Sequence, residues 1–156
     1  MKAGFEQLWG QVLEDCGMER IPHAKLHVLA LMAEPADMRF LLQEAERLQQ
    51  EREEHRNDSC DVTDEYWRAL TCVADTLALI GAAAASFLQD EIDRLDSQHR
   101  LSAALLLPSV STHTDWERVK ARISAESDAD VKESLVHALE KAVKAKRAWW
   151  QFWKKE

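Results

Sequence analysis

The stretch "TDEYWRALTCVADTLALIGAAAASFLQDEIDRL", residues 63–95, constrains the fold more than any other part of the chain. Tyr66, Trp67, Leu70, Val73, Ala74, Leu77, Ile80, Ala84, Phe87, Leu88, Ile92 and Leu95 recur every three or four positions. A repeat of 3.6 gathers these side chains on one side of a helix, whereas a half-buried strand needs strict alternation. About eight turns of helix are implied, roughly 45–50 Å at the helical rise. The most apolar part, Leu77–Leu88, is shorter than the span of about twenty residues that crosses a bilayer. It is therefore expected to be a buried central helix. The alanines at 82–85 suit the close approach of a neighbouring helix. Both an end near Asp96–Ser97 and a continuation to Pro108 fit the pattern.

The rest of the chain repeats the helical signal. Phe5, Leu8, Trp9, Val12, Leu13 and Cys16 lie on one helical face, and Gly17 is expected to end that helix. Pro22 and Pro35 stand where proline opens a helix. Met38, Leu41, Leu42, Ala45 and Leu48 form the inward face of the second of these, which runs on into the charged "QQEREEHR". Thr63, Thr114, and Ser127 with Asp130 read as helix starts. The predicted helices are 1–17, 22–33, 35–55, 63–95, 98–107, 115–124 and 128–154. No period-2 segment long enough for a strand is found. "DADVKESLVHALEKA" looks like one helix of a HEAT-type repeat, but no second copy follows it. With only four glycines and three prolines, the composition also favours helices over strands and turns. The expected fold is all-α: one domain, a bundle of six to seven helices around a long central hairpin of 35–55 with 63–95.

The formal charge of −8 is unfavourable for a nucleic-acid-binding domain and suits a basic protein partner. Cys16, Cys60 and Cys72 are an odd set at unpatterned spacings, which reads as reduced, structural and cytoplasmic. The opening "MKAGFEQLWGQVLEDCG" has no long apolar core and is not read as a secretory signal. No cofactor is expected, since neither a G-x-S-x-G turn nor a phosphate-cradling glycine loop is present.

Several constellations bear on chemistry. His23 and His27, four apart on a helix, bring two imidazoles to one side, within reach of one metal ion. No third ligand is supplied by sequence, and Ala24 stands where H-E-x-x-H has its glutamate. The loop around His55, Asp58, Cys60, Asp61 and Asp64 mixes hard and soft ligands at the spacing of no known site. Glu51, Glu53, Glu54, Asp90, Asp93 and Asp96 lack the Glu-x-x-His pairs of ferritin-like sites and read as solvated faces. In "RLDSQH", Arg94 and His99 are separated by four residues. This resembles the catalytic signature of the HEPN ribonucleases, small helical bundles that dimerise and use the paired arginine and histidine on an RNA phosphate. The resemblance covers six residues, and Leu95 stands where that family usually has a polar residue. It implies an alternative reading as a ribonuclease with Arg94 and His99 as its catalytic residues.

The ending "AKRAWWQFWKKE" puts Trp149, Trp150 and Trp153 on the side of Leu139, Ala142 and Val143, with Phe152 broadening the stripe. Lysines and Arg147 lie mostly opposite. Such a helix can complete the core, dock on a partner or a second copy of the chain, or rest on a membrane surface. The expected function is a non-enzymatic protein-binding module: a small acidic inhibitor, immunity or antitoxin-type protein, or a secretion or assembly chaperone. Its partner would be a basic protein, met partly through Trp149, Trp150, Phe152 and Trp153. A homodimer is compatible with this. Stable membrane insertion and nucleic-acid binding are not expected. The alternatives are the ribonuclease and a peripheral membrane adaptor acting through the C-terminal helix.

Overall fold

The computed structural model describes the backbone of residues 3–57 and 60–153, and the side chains of 3–57 and 63–146. Among these residues there are eight α-helices, one short 3-10 turn and no strand. The chain divides into two compact units, Met1–Ala84 and Ala85–Glu156.

The first unit holds α1 (Ala3–Gly17), α2 (His23–Met32), α3 (Pro35–Glu54) and α4 (Cys60–Ile80). Helix α4 packs on each of the other three. It buries Ala69, Cys72, Val73 and Leu77 against Phe5, Trp9, Val12 and Cys16 of α1, Leu26 and Leu29 of α2, and Leu41, Leu42, Ala45 and Leu48 of α3. Phe5 meets Phe40 edge to face at 6.2 Å between centroids, and the Trp9 indole N–H donates to Glu44 at 2.8 Å. Of the hairpin expected from 35–55 with 63–95, α3 and the part of the second arm up to Ile80 pack on each other, and α4 is the axis of this unit.

That axis is shorter than its apolar pattern implied. The single helix expected over 63–95 is two helices, because α4 stops at Ile80 and α5 begins at Ala82 (Ala82–Asp93). Between them Gly81 takes the left-handed conformation, φ 72°, and its N–H closes on the Leu77 carbonyl at 3.0 Å. Glycine enters this region without the Cβ clash that other residues suffer, so it ends a helix there. The period did not reveal the break because α4 and α5 each bury a face, and the two apolar faces happen to stay in phase across the glycine. The start also differs: α4 begins at Cys60 rather than at Thr63.

The first helix ends differently from expectation too. Gly17 remains helical, and the left-handed residue is Glu19, φ 58°. The Arg20 N–H bonds to the Asp15 carbonyl at 2.9 Å and the Glu19 N–H to that of Cys16 at 3.1 Å. This is the paired closure of a Schellman motif, here without the usual glycine. Pro35 opens α3 as its composition implied, with Glu34 and Asp37 forming a capping box.

The second unit holds most of α5, then α6 (Arg100–Leu106), the 3-10 turn Leu107–Val110, α7 (Trp116–Ala125) and α8 (Ala129–Trp153). Its core is built from Leu88, Ile92, Ala103, Ala104, Leu107, Val110, Val119, Val131, Leu135 and Ala138. Helix α6 starts at Arg100, two residues later than expected, and gives way at Leu107 to the 3-10 turn that contains Pro108. Two caps are displaced by one residue. Asp115, not Thr114, accepts from the amides of Glu117 and Arg118 at 3.1 and 3.2 Å. Asp128, rather than a Ser127–Asp130 box, accepts from those of Asp130 and Val131 at 3.0 and 3.1 Å. Aspartate, serine and threonine all cap well, so a run of them leaves the starting residue open.

Candidate interaction surface

Helix α2, "HAKLHVLALM", is apolar nearly all round, and only part of it faces the core. Leu26 and Leu29 are buried against α1 and α4. Ala24, His27, Val28 and Leu31 share the opposite face, at i, i+3, i+4 and i+7, and all four are exposed. Leu31 is 88% exposed. Met18 and Ile21, in the turn leading into α2, are exposed as well. Lys25, the only lysine or arginine of α2, is tied to Asp15 of α1 at 2.6 Å and holds α2 in place. The outer face is thus a strip of Ala24, Val28 and Leu31 with His27 among them and no lysine, arginine or acidic side chain of α2. It lies in a unit with sixteen acidic residues against eight lysines and arginines, while Ala85–Glu156 has twelve of each. All of the protein's net negative charge therefore belongs to the unit that carries this strip.

The residues singled out for chemistry fall elsewhere. His23 and His27 are both exposed on α2, and no group of three metal-ligating side chains occurs among the described residues. His55 stacks on Tyr66 at 5.9 Å. The side chains of Asp58, Cys60 and Asp61 lie outside the described residues, and Asp64 is exposed. Of the six carboxylates read as solvated faces, five have an ionic or hydrogen-bond partner, and Asp96 is exposed. Glu51 pairs with Arg47 at 2.7 Å, Glu53 with Arg56 at 3.0 Å, and Glu54 accepts from Gln50 at 2.9 Å. Asp90 and Asp93 both hold Arg118 at 2.7 Å, and these two carboxylates keep the Arg118 guanidinium more firmly protonated than usual.

Arg94 and His99 flank the turn between α5 and α6. Arg94 is exposed and reaches the buried Glu91 at 3.4 Å, which also accepts from the Ser97 hydroxyl. His99 is half-buried at the start of α6, its backbone N–H donating to Ser97 Oγ at 3.1 Å. The two residues thus share one corner, in which the side chain of Ser97 and the carboxylate of Glu91 are the local hubs.

Two polar centres went unread in the sequence. Glu126 is fully buried at the end of α7. It accepts from Arg100 of α6, lies 3.2 Å from Arg122, and accepts from the Asp128 amide at 3.0 Å. Burial pushes its carboxyl up, but the hydrogen bonds from Arg100 and Asp128 and the two positive charges outweigh this and hold it below the usual range. Cys16 of α1 and Cys72 of α4 are both buried, with sulfurs 3.6 Å apart. Pairs 26 and 56 residues apart in sequence leave no periodic trace.

The side chains of Trp149, Trp150, Phe152 and Trp153 lie outside the described residues. The backbone of their helix is described, with α8 running on to Trp153; among its described side chains, which end at Lys146, Ala142 is the last buried one, and Val143, Lys144, Ala145 and Lys146 are exposed.

The helices and this surface define an all-α protein of two compact units with an apolar strip on an acidic unit. Comparisons with protein families, with curated proteins and with solved structures find no match. Among the described residues, no single helix is long and apolar enough to cross a membrane.

Proposed function

We infer that the protein is a non-enzymatic protein-binding module, of the inhibitor, immunity or antitoxin kind or a secretion or assembly chaperone, and that its partner is a basic protein. The supporting observation is the outer face of α2, where Val28 and Leu31 stand exposed without a charged neighbour on their own helix face. Buried apolar contacts at the centre of an interface supply affinity, and surrounding charge supplies rate and choice of partner. An acidic unit around this exposed strip suits a partner with an apolar knob ringed by lysine or arginine. Trp149, Trp150, Phe152 and Trp153 form a second set of anchors in this reading, carried on the part of α8 beyond Ala142.

The test compares the full chain with a Val28→Asp, Leu31→Asp variant in pull-downs from the native host, read by mass spectrometry. Both substituted positions are exposed, so the variant is expected to melt like the parent. The parent should retain a basic protein that is released by added salt, and the variant should lose it. Equal retention by both chains removes α2 from the interface. A retained partner that is acidic removes the charge argument.

A further inference from the structure

We propose that Cys16 and Cys72 form a reversible disulfide, a modification site that ties α1 to α4 in the first unit when a peroxide or a small-molecule disulfide is present. The sulfurs are in van der Waals contact at 3.6 Å, on two helices that pack directly on each other. A bond requires them to close to about 2.05 Å, a movement within reach of side-chain rotation and a small helix shift. Nothing intervenes between them, and both thiols are free.

The surroundings give the two sulfurs different roles. Cys16 sits one residue from the end of α1, in the turn closed by Glu19 and Arg20. The Arg68 side chain donates to its carbonyl at 2.9 Å and brings a positive charge beside its sulfur. The hydrogen bond shared with Cys72 and the charge of Arg68 favour the Cys16 thiolate, against burial and the negative charges of Asp15 and Glu65. Cys72 lies mid-helix on α4. The bond it shares with Cys16 and its burial hold its proton on. Cys16 lies in the closing turn of its helix, the part that opens first, and is therefore placed as the attacking sulfur, with mid-helix Cys72 as the resolving one.

With hydrogen peroxide as oxidant, the Cys16 thiolate attacks one oxygen. An S–O bond forms, the O–O bond breaks, and the departing hydroxide takes up a proton as water. The Cys72 sulfur then attacks the Cys16 sulfenic sulfur, the S–S bond forms, the S–O bond breaks, and the second water leaves with the Cys72 proton. Two thiols are oxidised by two electrons and one peroxide is reduced to two waters. Both sulfurs are buried, so the oxidant enters when the last turn of α1 opens. That turn is the end of its helix and is closed through a non-glycine left-handed residue.

The experiment uses the full chain carrying Cys60→Ser, so that no third thiol competes. The protein is treated with hydrogen peroxide, alkylated under denaturing conditions, and mapped without reduction. The expected result is the loss of two hydrogens and a linked pair of peptides containing Cys16 and Cys72, both reversed by dithiothreitol. The midpoint of thermal unfolding should rise by about 10 °C on oxidation, because the bond closes a long loop of the unfolded chain. In a further Cys72→Ser chain, oxidised glutathione should add to Cys16 instead of producing a disulfide within the protein. Complete alkylation of both cysteines after peroxide overturns the proposal, as does a Cys16 that proceeds to sulfinic acid with Cys72 still free. A melting point that falls on oxidation shows that the native packing cannot accept the bond.

Discussion

Replacing Glu126 is the sharpest test of how the second unit is built. Its side chain is fully buried, and the Arg100 side chain that donates to it is 9% exposed. Arg100 also donates to the Ile92 carbonyl at 2.8 Å, which fixes the guanidinium in place. Glu126→Ala therefore leaves a buried cation with its carbonyl contact but no counter-charge, and takes the acceptor from the Asp128 amide. Breaking one side of such a pair costs about 3–5 kcal/mol. Against a total of roughly 5–15 kcal/mol for a protein of this class, that is a large fraction. Urea unfolding followed by far-UV circular dichroism should read the loss directly. Glu126→Gln, which keeps an oxygen for the Asp128 amide, should lose less. The acid limb gives a second reading. The folded carboxyl titrates below its ordinary value of 4.5. Its contribution is complete above the unfolded pKa and is lost as pH falls through the lower, folded one. The stability gap between parent and Glu126→Gln should thus be constant near neutrality and narrow below about pH 4.5. A loss under about 1 kcal/mol for Glu126→Ala, or a gap that does not change with acid, would refute a dry, charge-paired site.

Two backbone substitutions test the helix ends with opposite signs. Glu19→Gly relieves a left-handed glutamate and should stabilise by about 1 kcal/mol, whereas Gly81→Ala imposes the same strain and should cost about 1–2 kcal/mol, both measured by chemical denaturation. Truncation after Lys146 should leave the melting transition in place and abolish partner capture, since the described side chains of α8 beyond Ala142 are exposed. A collapsed transition would return Trp149, Trp150 and Trp153 to the core. Arg94→Ala and His99→Ala should leave partner capture unchanged, and an RNA-cleaving activity lost in either variant would favour the ribonuclease reading.

How much of this was legible without coordinates depends on the range of the interactions involved. The inward faces of α1 and α3 could be read because burial repeats every 3.6 residues: Phe5, Trp9, Val12 and Cys16, then Met38, Leu41, Leu42, Ala45 and Leu48, are all buried. Proline at the start of α3 was equally plain, since its ring fixes φ whatever surrounds it. Helix ends were less legible. Gly17 and Gly81 are both glycines within an apolar pattern, yet only Gly81 turns left-handed, and Glu19 takes that conformation at the end of α1. Local preference permits a turn at either glycine, and the packing of the flanking helices selects one. The outer face of α2 was hidden for a related reason. "HVLALM" says that the helix is apolar, but which leucines face α1 and α4 and which face outward is fixed by how α2 is seated, partly through Lys25 and Asp15. The Arg100–Glu126 pair and the Cys16–Cys72 contact had no local signature, because each joins helices far apart in the chain. Sequence by itself thus determined an all-helical chain and the buried sides of α1 and α3, since these follow from a repeat carried by neighbouring residues. Only the tertiary structure decided where the long helix breaks, which charges meet inside and which sulfurs touch, because those depend on distances between segments that the order of residues does not encode.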